Sequence, residues 1–240
     1  MSHPPFSLRL RPYAMQTHLA HFIFPNTVQP VVRVDFDAAT FKPEDLFWLP
    51  HHHRLSTAVN KRKAEHLAGR IAAREALSFH GIKDFVPGIG LHREPCWPPG
   101  FTGSITHSGN VALAAVIIDD PTQRSGMGID YETIITPEIA QEIYGGIIES
   151  AEKERIEAAP FPFHYALTLV FSAKESLFKA LFRHVGRYFD FSAVSLTEID
   201  SQQLSLTLNE SLGPFQKGET FTALWKGDAR QLITLIQLGG

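Results

Sequence analysis

Two short segments carry carboxylates and lysines at spacings that suit metal and phosphate chemistry. Asp130 and Glu132 are two residues apart, so both carboxylates face the same side if this segment is a strand. Carboxylate oxygens on one face suit Mg²⁺, which takes few protein ligands and leaves positions open for substrate phosphates. Glu175 supplies a third carboxylate, while Lys174 and Lys179 can neutralise phosphate oxygens or a leaving group. These five residues predict Mg²⁺-dependent phosphoryl chemistry.

The second of these segments also fits an ordinary surface helix. Ser172 and Glu175 match a capping box at a helix start, and Glu175 and Lys179 form an i,i+4 pair in the favourable orientation. However, apolar residues keep a spacing of three or four on both sides of Ser172, which favours one long helix. Lys174 then falls on the apolar stripe, where its charge needs a partner such as a phosphate or a metal-bound carboxylate.

A second group of cations lies on another predicted helix. Arg62, His66 and Arg70 are each four residues apart and therefore form one polar stripe, and Gly69 beside them allows another segment to approach closely. A solvated basic face fits this stripe too. Arginine forks beside a histidine nevertheless suit a phosphate monoester, so the stripe is a candidate phosphate site.

A third candidate is the turn around Thr106 and His107. The small polar segment that follows leaves backbone N–H groups accessible, and a histidine there can bind phosphate. An ordinary turn fits the same residues, and strand alternation places His107 on the opposite face from Thr106. Arg93 is equally ambiguous by itself, and Trp97 is expected to pack in the core rather than to stack on a base.

Length, composition and net charge limit the classes of protein to which this chain can belong. The chain has 240 residues with 44% apolar and 20% charged residues, so it is globular and forms one large domain or two small ones. A net charge of −3 argues against a strongly basic nucleic-acid-binding protein. Cys96 is the single cysteine, which excludes an intramolecular disulfide and fits a reducing compartment. With no bilayer-spanning run and no secretory signal pattern, we expect a cytoplasmic protein.

The twelve histidines do not indicate a transition metal. The sequence has no H-E-x-x-H motif and no Cys–His arrangement with zinc spacing. His51, His52 and His53 follow Pro50, and we interpret them as a polar loop or the entry to a helix.

The pattern of the remaining segments predicts an α+β protein. Residues 1–30 are proline-rich and are predicted to form an irregular arm. Each half combines a long helix with several strands, which predicts two similar α/β subdomains in a pseudo-twofold arrangement, residues 1–124 and 125–240. Strands are predicted at residues 31–36, 103–107, 111–118, 194–198, 204–208, 221–225 and 232–237, with another carrying Asp130, and helices at 41–46, 55–80, 137–144, 151–158 and from about 162 onward.

Taken together, these segments resemble the 4′-phosphopantetheinyl transferases of the larger, single-chain type, most closely the enterobactin-synthetase branch. The likeness runs from residue 61 to about residue 180. G-I-D-x-E and K-E-S are weak motifs alone, but all the blocks in this order are specific. The matching blocks are Lys61–Ala73, Trp97-Pro98, Gly103–Gly109, Gly128–Glu132 and Phe171–Ser176.

The resemblance implies the reaction and the metal site. It implies transfer of 4′-phosphopantetheine from coenzyme A to a serine of an apo carrier protein, with release of adenosine 3′,5′-bisphosphate. Asp130, Glu132 and Glu175 match the family's Mg²⁺ ligands, and Glu175 would also take the proton of the serine, directly or through a water. Lys174 and Lys179 match the lysines around the pyrophosphate.

The resemblance also implies a binding site for coenzyme A. Arg62, Arg70, Arg93 and His107 match positions that hold its phosphates, with His107 on the 3′-phosphate. Thr106 stands where the family commonly has serine, keeps the hydroxyl group and is expected to bind the cofactor beside His107.

The expected partner is an acidic acyl or peptidyl carrier protein, in siderophore or other nonribosomal peptide synthesis. A patch including Arg183, His184 or Arg187 is the predicted docking surface, and a monomer is expected. Two alternatives stay open: another Mg²⁺-dependent phosphoryl enzyme acting on coenzyme A or nucleotides, and a non-catalytic homologue that binds carrier proteins.

Overall fold

The computed structural model describes residues 13–25 and 27–239. Short 3₁₀ helices at Ala38–Thr40, Pro43–Trp48, His52–Leu55, Tyr144–Gly146 and Phe191–Ala193 join the main elements. The strands are β1 (Thr17–Ile23), β2 (Pro30–Phe36), β3 (Gly88–Ile89), β4 (Pro95–Cys96), β5 (Phe101–Ser108), β6 (Val111–Ile118), β7 (Gly126–Thr133), β8 (Val194–Ile199), β9 (Gln203–Leu208), β10 (Thr220–Gly227) and β11 (Gln231–Leu238). The α-helices are α1 (Asn60–Ser78), α2 (Pro137–Ile143), α3 (Ser150–Glu157) and α4 (Phe163–Val185).

Two antiparallel sheets form the centre of the molecule. The first has the strand order β1-β2-β6-β5 and the second β7-β11-β10-β9-β8. Their inner faces pack on each other through buried side chains such as Val31 and Leu113 of the first sheet and Ile129 and Ile233 of the second. The layers are therefore helix, sheet, sheet and helix, since α1 covers the outer face of the first sheet and α4 that of the second.

This architecture agrees with the mixed α/β class that the sequence predicts, with a long helix and several strands in each half. The two sheets meet where β5 lies beside β7, at the edge of each sheet. The subdomain boundary between residues 124 and 125 stays a prediction, and it falls in the segment that joins β6 to β7. Within the described residues, no helix is long and apolar enough to cross a membrane.

The prediction of an irregular arm over residues 1–30 is wrong for residues 17–23. These residues form β1, which pairs with β2 from Thr17 opposite Phe36 to Ile23 opposite Pro30. β1 is an edge strand that contains polar residues, including two histidines. The alternation of apolar and polar residues that indicates a strand is therefore weak in this segment. Residues 1–12 lie outside the described part of the chain.

The helix α4 is continuous through Ser172, which is fully buried in its middle. The capping-box interpretation of Ser172 is therefore wrong, and the prediction of one long helix is confirmed. The helix ends at Gly186, whose φ of 67° is a left-handed conformation that glycine adopts without strain. The first long helix begins at Asn60 rather than Leu55, because Leu55 ends the 3₁₀ helix His52–Leu55 and residues 56–59 form a turn before Asn60.

Candidate active site

The segment from Gly128 to Glu132 lies on β7 directly against α4. A Cβ atom on Gly128 would lie 1.8 Å from the carbonyl oxygen of Ser176, so a larger residue would push the helix away. Alternation along β7 directs Ile129 and Tyr131 into the core between the sheets. Asp130 and Glu132 therefore face α4, on one side of the strand as predicted.

Asp130 is held by three side chains from two elements, α4 and β5, and is 4% exposed. The Lys179 ammonium group on α4 donates to Asp130 Oδ1 at 2.7 Å and to the carbonyl oxygen of Ile129 at 3.1 Å. The Ser172 hydroxyl donates to Oδ2 at 2.9 Å, and the Thr106 hydroxyl on β5 donates to Oδ1 at 3.1 Å. The carboxylate is thus fixed where β5, β7 and α4 meet.

Glu132 shares one face of β7 with Asp130, and Glu175 lies on α4 one helical turn before Lys179, which contacts Asp130. Burial raises the pKa of Glu132 to about 7, and the negative charges of Asp130 and Glu175 add to this effect. Burial also raises the pKa of Glu175, with Lys179 opposing and Asp130 reinforcing the shift. The three carboxylates therefore repel one another, with Lys179 as the cation among them.

This donor set fits a hard divalent cation. Within residues 13–25 and 27–239, no three acidic, histidine or cysteine side chains already form a metal-binding arrangement. The chemistry of Asp130, Glu132 and Glu175 nonetheless suits Mg²⁺, because all the donors are carboxylate oxygens. A cation among them would also offset the charges of Asp130 and Glu175, which add to the effect of burial on the pKa of Glu132.

The structure does not bring Lys174 to this group, which corrects the prediction for that residue. Lys174 is 2% exposed, and its ammonium group lies 2.8 Å from Glu152 on α3. Lys174 does have the buried anionic partner that its place on the apolar stripe requires. This partner is the carboxylate of Glu152, and not a phosphate or a metal-bound carboxylate.

The predicted phosphate ligands line a cavity of about 420 Å³ between α1 and β5. Gly69 makes this interface close, because a Cβ atom there would lie 2.9 Å from Ile105 Cγ2. The structure brings together the predicted cations Arg62, Arg70, Arg93 and His107 in the wall of this cavity, with His66 beside them.

Arg70 also has a role in holding the cavity wall. It is 5% exposed, and its Nε and Nη2 donate to the carbonyl oxygens of Pro87 and Gly88 at 2.8 and 2.9 Å. Burial lowers its pKa to about 10, so it remains a cation at neutral pH. Two of its N–H groups are therefore committed to the backbone around β3.

The structure places Thr106 apart from this cavity, contrary to the prediction that it binds the cofactor. Alternation along β5 directs His107 toward α1 and Thr106 toward β7, where its hydroxyl contacts Asp130. Thr106 therefore supports the carboxylate group instead. Trp97 packs against the core of the first half, as expected.

A pair of histidines next to the cavity was not predicted. His51 Nε2 lies 2.8 Å from His66 Nε2, and His51 is 8% exposed, so it is not in a solvated polar loop; it immediately precedes the 3₁₀ helix His52–Leu55, which agrees with the alternative of a helix entry. Burial lowers the pKa of His51 to about 4 and that of His66 to about 2, so both are neutral. The three consecutive histidines gave no spacing signal for this contact.

A second cavity of about 570 Å³ continues toward α4. It shares Arg93, Pro95 and Ile105 with the first, so the two form one groove across the molecule. Lys179 lines this part together with the apolar side chains of Phe178 and Phe182. The groove thus leads from the cations of α1 to the lysine that contacts Asp130.

Comparisons with known proteins match two parts of the chain to one family. The model of the 4′-phosphopantetheinyl transferase N-terminal domain matches residues 51–117, and that of the 4′-phosphopantetheinyl transferase superfamily matches residues 126–232. Enterobactin synthase component D of Salmonella typhi is 41% identical over 90% of this chain and 89% of its own length. The component D of Escherichia coli (strain K12) is 42% identical over 85% and 91%. The transferase Npt of Nocardia iowensis is 29% identical over 80% and 86%.

Proposed function

Because the chain belongs to the 4′-phosphopantetheinyl transferase superfamily, it transfers 4′-phosphopantetheine from coenzyme A to carrier proteins, and we propose that Asp130, Glu132 and Glu175 hold the Mg²⁺ ion of this reaction. The observation that carries the proposal is that Asp130 and Glu132 share one face of β7 against the helix that bears Glu175, where burial, with the charges of Asp130 and Glu175 adding to it, raises the pKa of Glu132 to about 7. Three such groups facing one region are stable together when a cation lies among them. When bound, Mg²⁺ would offset the charge of the pyrophosphate oxygens.

Glu175 is the proposed base. Burial raises its pKa, which brings a carboxylate closer to the proton affinity that general-base catalysis needs near neutral pH. The serine oxygen of the carrier forms a bond to the phosphorus that bears the pantetheine group, and the bond from this phosphorus to the bridging oxygen breaks. Glu175 takes the serine proton, directly or through a water, and adenosine 3′,5′-bisphosphate leaves.

Lys179 is proposed to stabilise the leaving group. It is the lysine that lines the groove, its side chain is 26% exposed, and it contacts Asp130 at 2.7 Å. An ammonium group in this place can stabilise the negative charge that develops on the bisphosphate as the bond breaks. Lys174 is left out of this step because it is buried against Glu152.

The phosphates of coenzyme A are proposed to bind in the cavity between α1 and β5. Arg62, Arg93 and His107 are in its wall, and Arg70 adds positive charge from behind. Arginine side chains recognise phosphate oxygens by paired hydrogen bonds, which suits the groups of this donor.

We further propose an acidic carrier of siderophore synthesis as the acceptor, since the component D relatives are named for enterobactin synthesis. Among the predicted docking residues, Arg187 is exposed, while Arg183 pairs with Asp119 at 2.7 Å and His184 Nε2 lies 2.8 Å from the carbonyl oxygen of Ser125. Arg187 is therefore the best-placed cation of the predicted patch. A monomer is proposed because one chain supplies both ends of the groove, and the exposed free Cys96 fits a cytoplasmic location.

Intact-protein mass spectrometry tests the proposal. Apo acyl and peptidyl carriers are incubated with the protein, coenzyme A and Mg²⁺, beside an E175A variant and a sample with EDTA. An E142A variant is the matched control, because Glu142 is an exposed glutamate on α2. The expected gain is one phosphopantetheinyl group, present with E142A and absent with E175A and with EDTA.

Two other outcomes would contradict the proposal. If coenzyme A binds but no carrier gains mass, the non-catalytic alternative is correct. If adenosine 3′,5′-bisphosphate is released without a carrier and no carrier is modified, the protein is a different phosphoryl enzyme.

A further inference from the structure

Glu65 is a carboxylate in the wall of the cavity proposed to bind phosphates. Its side chain is only 12% exposed, and its Oε2 lies 3.7 Å from Arg62 Nη1 and 3.8 Å from His107 Nδ1. By itself an anionic side chain opposes the binding of another anion, so its place in this wall needs a reason. We find this reason in the protonation state of His107.

The hydrogen bond between Arg62 and His107 fixes the tautomer of the histidine. Arg62 Nη1 lies 3.0 Å from His107 Nε2. A guanidinium group carries only donors, so Nε2 accepts this bond and the neutral ring has its proton on Nδ1. In the free protein, the nitrogen that faces Arg62 therefore has no proton to donate to a phosphate, while the nitrogen that faces Glu65 carries one.

The charges around His107 come from several elements. Burial lowers the pKa of His107, Glu65 opposes this most strongly, and Arg62 adds to the lowering. From α4, Lys179 also lowers the pKa, and Asp130 on β7 raises it. Glu65 is thus the main anion that can stabilise a protonated His107.

We propose that Glu65 couples the binding of a phosphate group in this cavity to the uptake of one proton by His107. The inference rests on the proposed function, in which the cavity takes the phosphates of coenzyme A. An incoming phosphate takes over the N–H group of Arg62, whose side chain is 56% exposed. The lone pair of His107 Nε2 is then released and takes a proton from the solvent.

The protonated ring makes two favourable contacts. Nε2–H donates to a phosphate oxygen, and Nδ1–H faces the carboxylate of Glu65, whose charge balances that of the imidazolium ring. Glu65 does not touch the phosphate and acts through His107, so it is a positioning residue. By stabilising the protonated ring, Glu65 allows His107 to change from a neutral hydrogen-bond acceptor to a cationic donor when the phosphate binds.

Isothermal titration calorimetry tests this coupling. Coenzyme A is titrated in buffers of different ionisation enthalpy near neutral pH, which measures proton uptake together with affinity. The variants are E65Q, H107Q, the double variant E65Q/H107Q, and E75Q as the matched control, because Glu75 is also on α1 but outside the cavity wall. The glutamine of H107Q donates to phosphate without needing a proton.

The wild type and E75Q are expected to take up about one proton on binding. E65Q should lose most of this uptake and bind coenzyme A about tenfold more weakly, because the protonated His107 ring loses its counter-charge. H107Q should show no uptake, and in its background E65Q should change the affinity by less than about twofold. E65D should keep the uptake, because it keeps the charge.

Repeating the titrations with 3′-dephospho-coenzyme A shows which phosphate is involved, since the effect of E65Q disappears only if His107 binds the 3′-phosphate.

The proposal is overturned if E65Q takes up as many protons as E75Q, or if the effects of E65Q and H107Q on affinity multiply. It is also overturned if the wild type binds coenzyme A without proton uptake. A wild type that does not bind coenzyme A or modify a carrier contradicts the proposed function instead. The unfolding midpoint of each variant, measured in parallel, shows that the fold is retained.

Discussion

Lys174 Nζ lies 2.8 Å from Glu152 Oε1, and both side chains are 1% exposed. The ammonium group also donates to the carbonyl oxygen of Ile147 at 2.9 Å, and the carboxylate accepts from the backbone N–H of Leu196 at 2.8 Å. The pair thus joins α4 to α3 and β8. The next residue, Glu175, is turned toward the other carboxylates, so one helix carries a structural ion pair and a site residue side by side.

Removing one member of this pair should strongly destabilise the protein. K174A or E152Q leaves the partner buried without its counter-charge, and we expect the free energy of unfolding to fall by about 3–5 kcal/mol in denaturant titrations. K153A is the control, because Lys153 and Glu157 form a pair at 3.7 Å with side chains 35% and 53% exposed. It should change the stability by less than about 1 kcal/mol. If K174A is as stable as the wild type and loses only transfer activity, Lys174 reaches the substrate after all.

Lys179 should behave in the opposite way. K179A removes the cation that lines the groove beside Asp130, and we expect the transfer rate to fall about 10²-fold, the usual effect of losing one charge-stabilising donor. Its loss of unfolding free energy should be smaller than that of K174A, about 1–3 kcal/mol, because Asp130 stays buried without its cation but keeps the hydroxyl donors Thr106 and Ser172. Single-turnover mass spectrometry of a carrier measures the rate. An unchanged rate would remove Lys179 from the mechanism.

Where two site residues lie on the same helix or strand, the sequence alone predicts that their side chains share one face. Glu175 and Lys179 are one helical turn apart, and Asp130 and Glu132 are two residues apart on a strand, so the period of each element sets their common face. The long helices and most of the strands followed from the same periodicity. This reasoning needs no knowledge of how the two halves pack.

Contacts between distant segments could not be predicted in this way. A lysine on an apolar stripe needs a buried anion, but nothing near Lys174 indicates that Glu152 of another helix provides it. The contacts of Thr106 with Asp130 and of Arg70 with the carbonyl oxygens of Pro87 and Gly88 also depend on how separate elements pack. The tertiary fold decides which of several possible partners such side chains meet.

Gly128 should be intolerant of any side chain. In G128A, the new Cβ atom would meet the Ser176 carbonyl oxygen at 1.8 Å, so β7 and α4 must separate. We expect a loss of about 1–3 kcal/mol or more in unfolding free energy, together with slower transfer, because the separation moves Asp130 from Lys179. G145A is the control, since a Cβ atom on Gly145 meets nothing within 4 Å. Equal stability of the two variants would show that the close contact is not needed.

The two proposed roles of Glu175 can be separated by substitution. E175Q keeps the size of the side chain but removes the base and weakens metal binding, so we expect the transfer rate to fall by about 10²–10⁴-fold even at saturating Mg²⁺. E175A should be no more active. If E175Q retains most of the wild-type rate at high Mg²⁺, Glu175 is not the direct base, and a water must take the serine proton.

Glu132 should make the metal-free protein less stable as the pH rises. Its pKa is raised from 4.5 to about 7 in the folded state, so between these values the folded protein binds more protons than the unfolded chain. The free energy of unfolding must therefore fall across this window, by about 2–3 kcal/mol at most. Denaturant titrations in EDTA measure this as the difference between the wild type and E132Q, which has no carboxyl group to titrate.

The difference between the two proteins isolates Glu132 from the histidines. His51 and His66 have lowered pKa values and act in the opposite sense, with stability lost as the pH falls below about 6.5, but they are the same in both proteins. Mg²⁺ should stabilise the wild type more above pH 7 than at pH 5, because its ligands must be deprotonated to bind it. It should stabilise E132Q less. If E132Q keeps the pH dependence of the wild type, or gains as much from Mg²⁺, Glu132 is neither the titrating group nor a ligand of the cation.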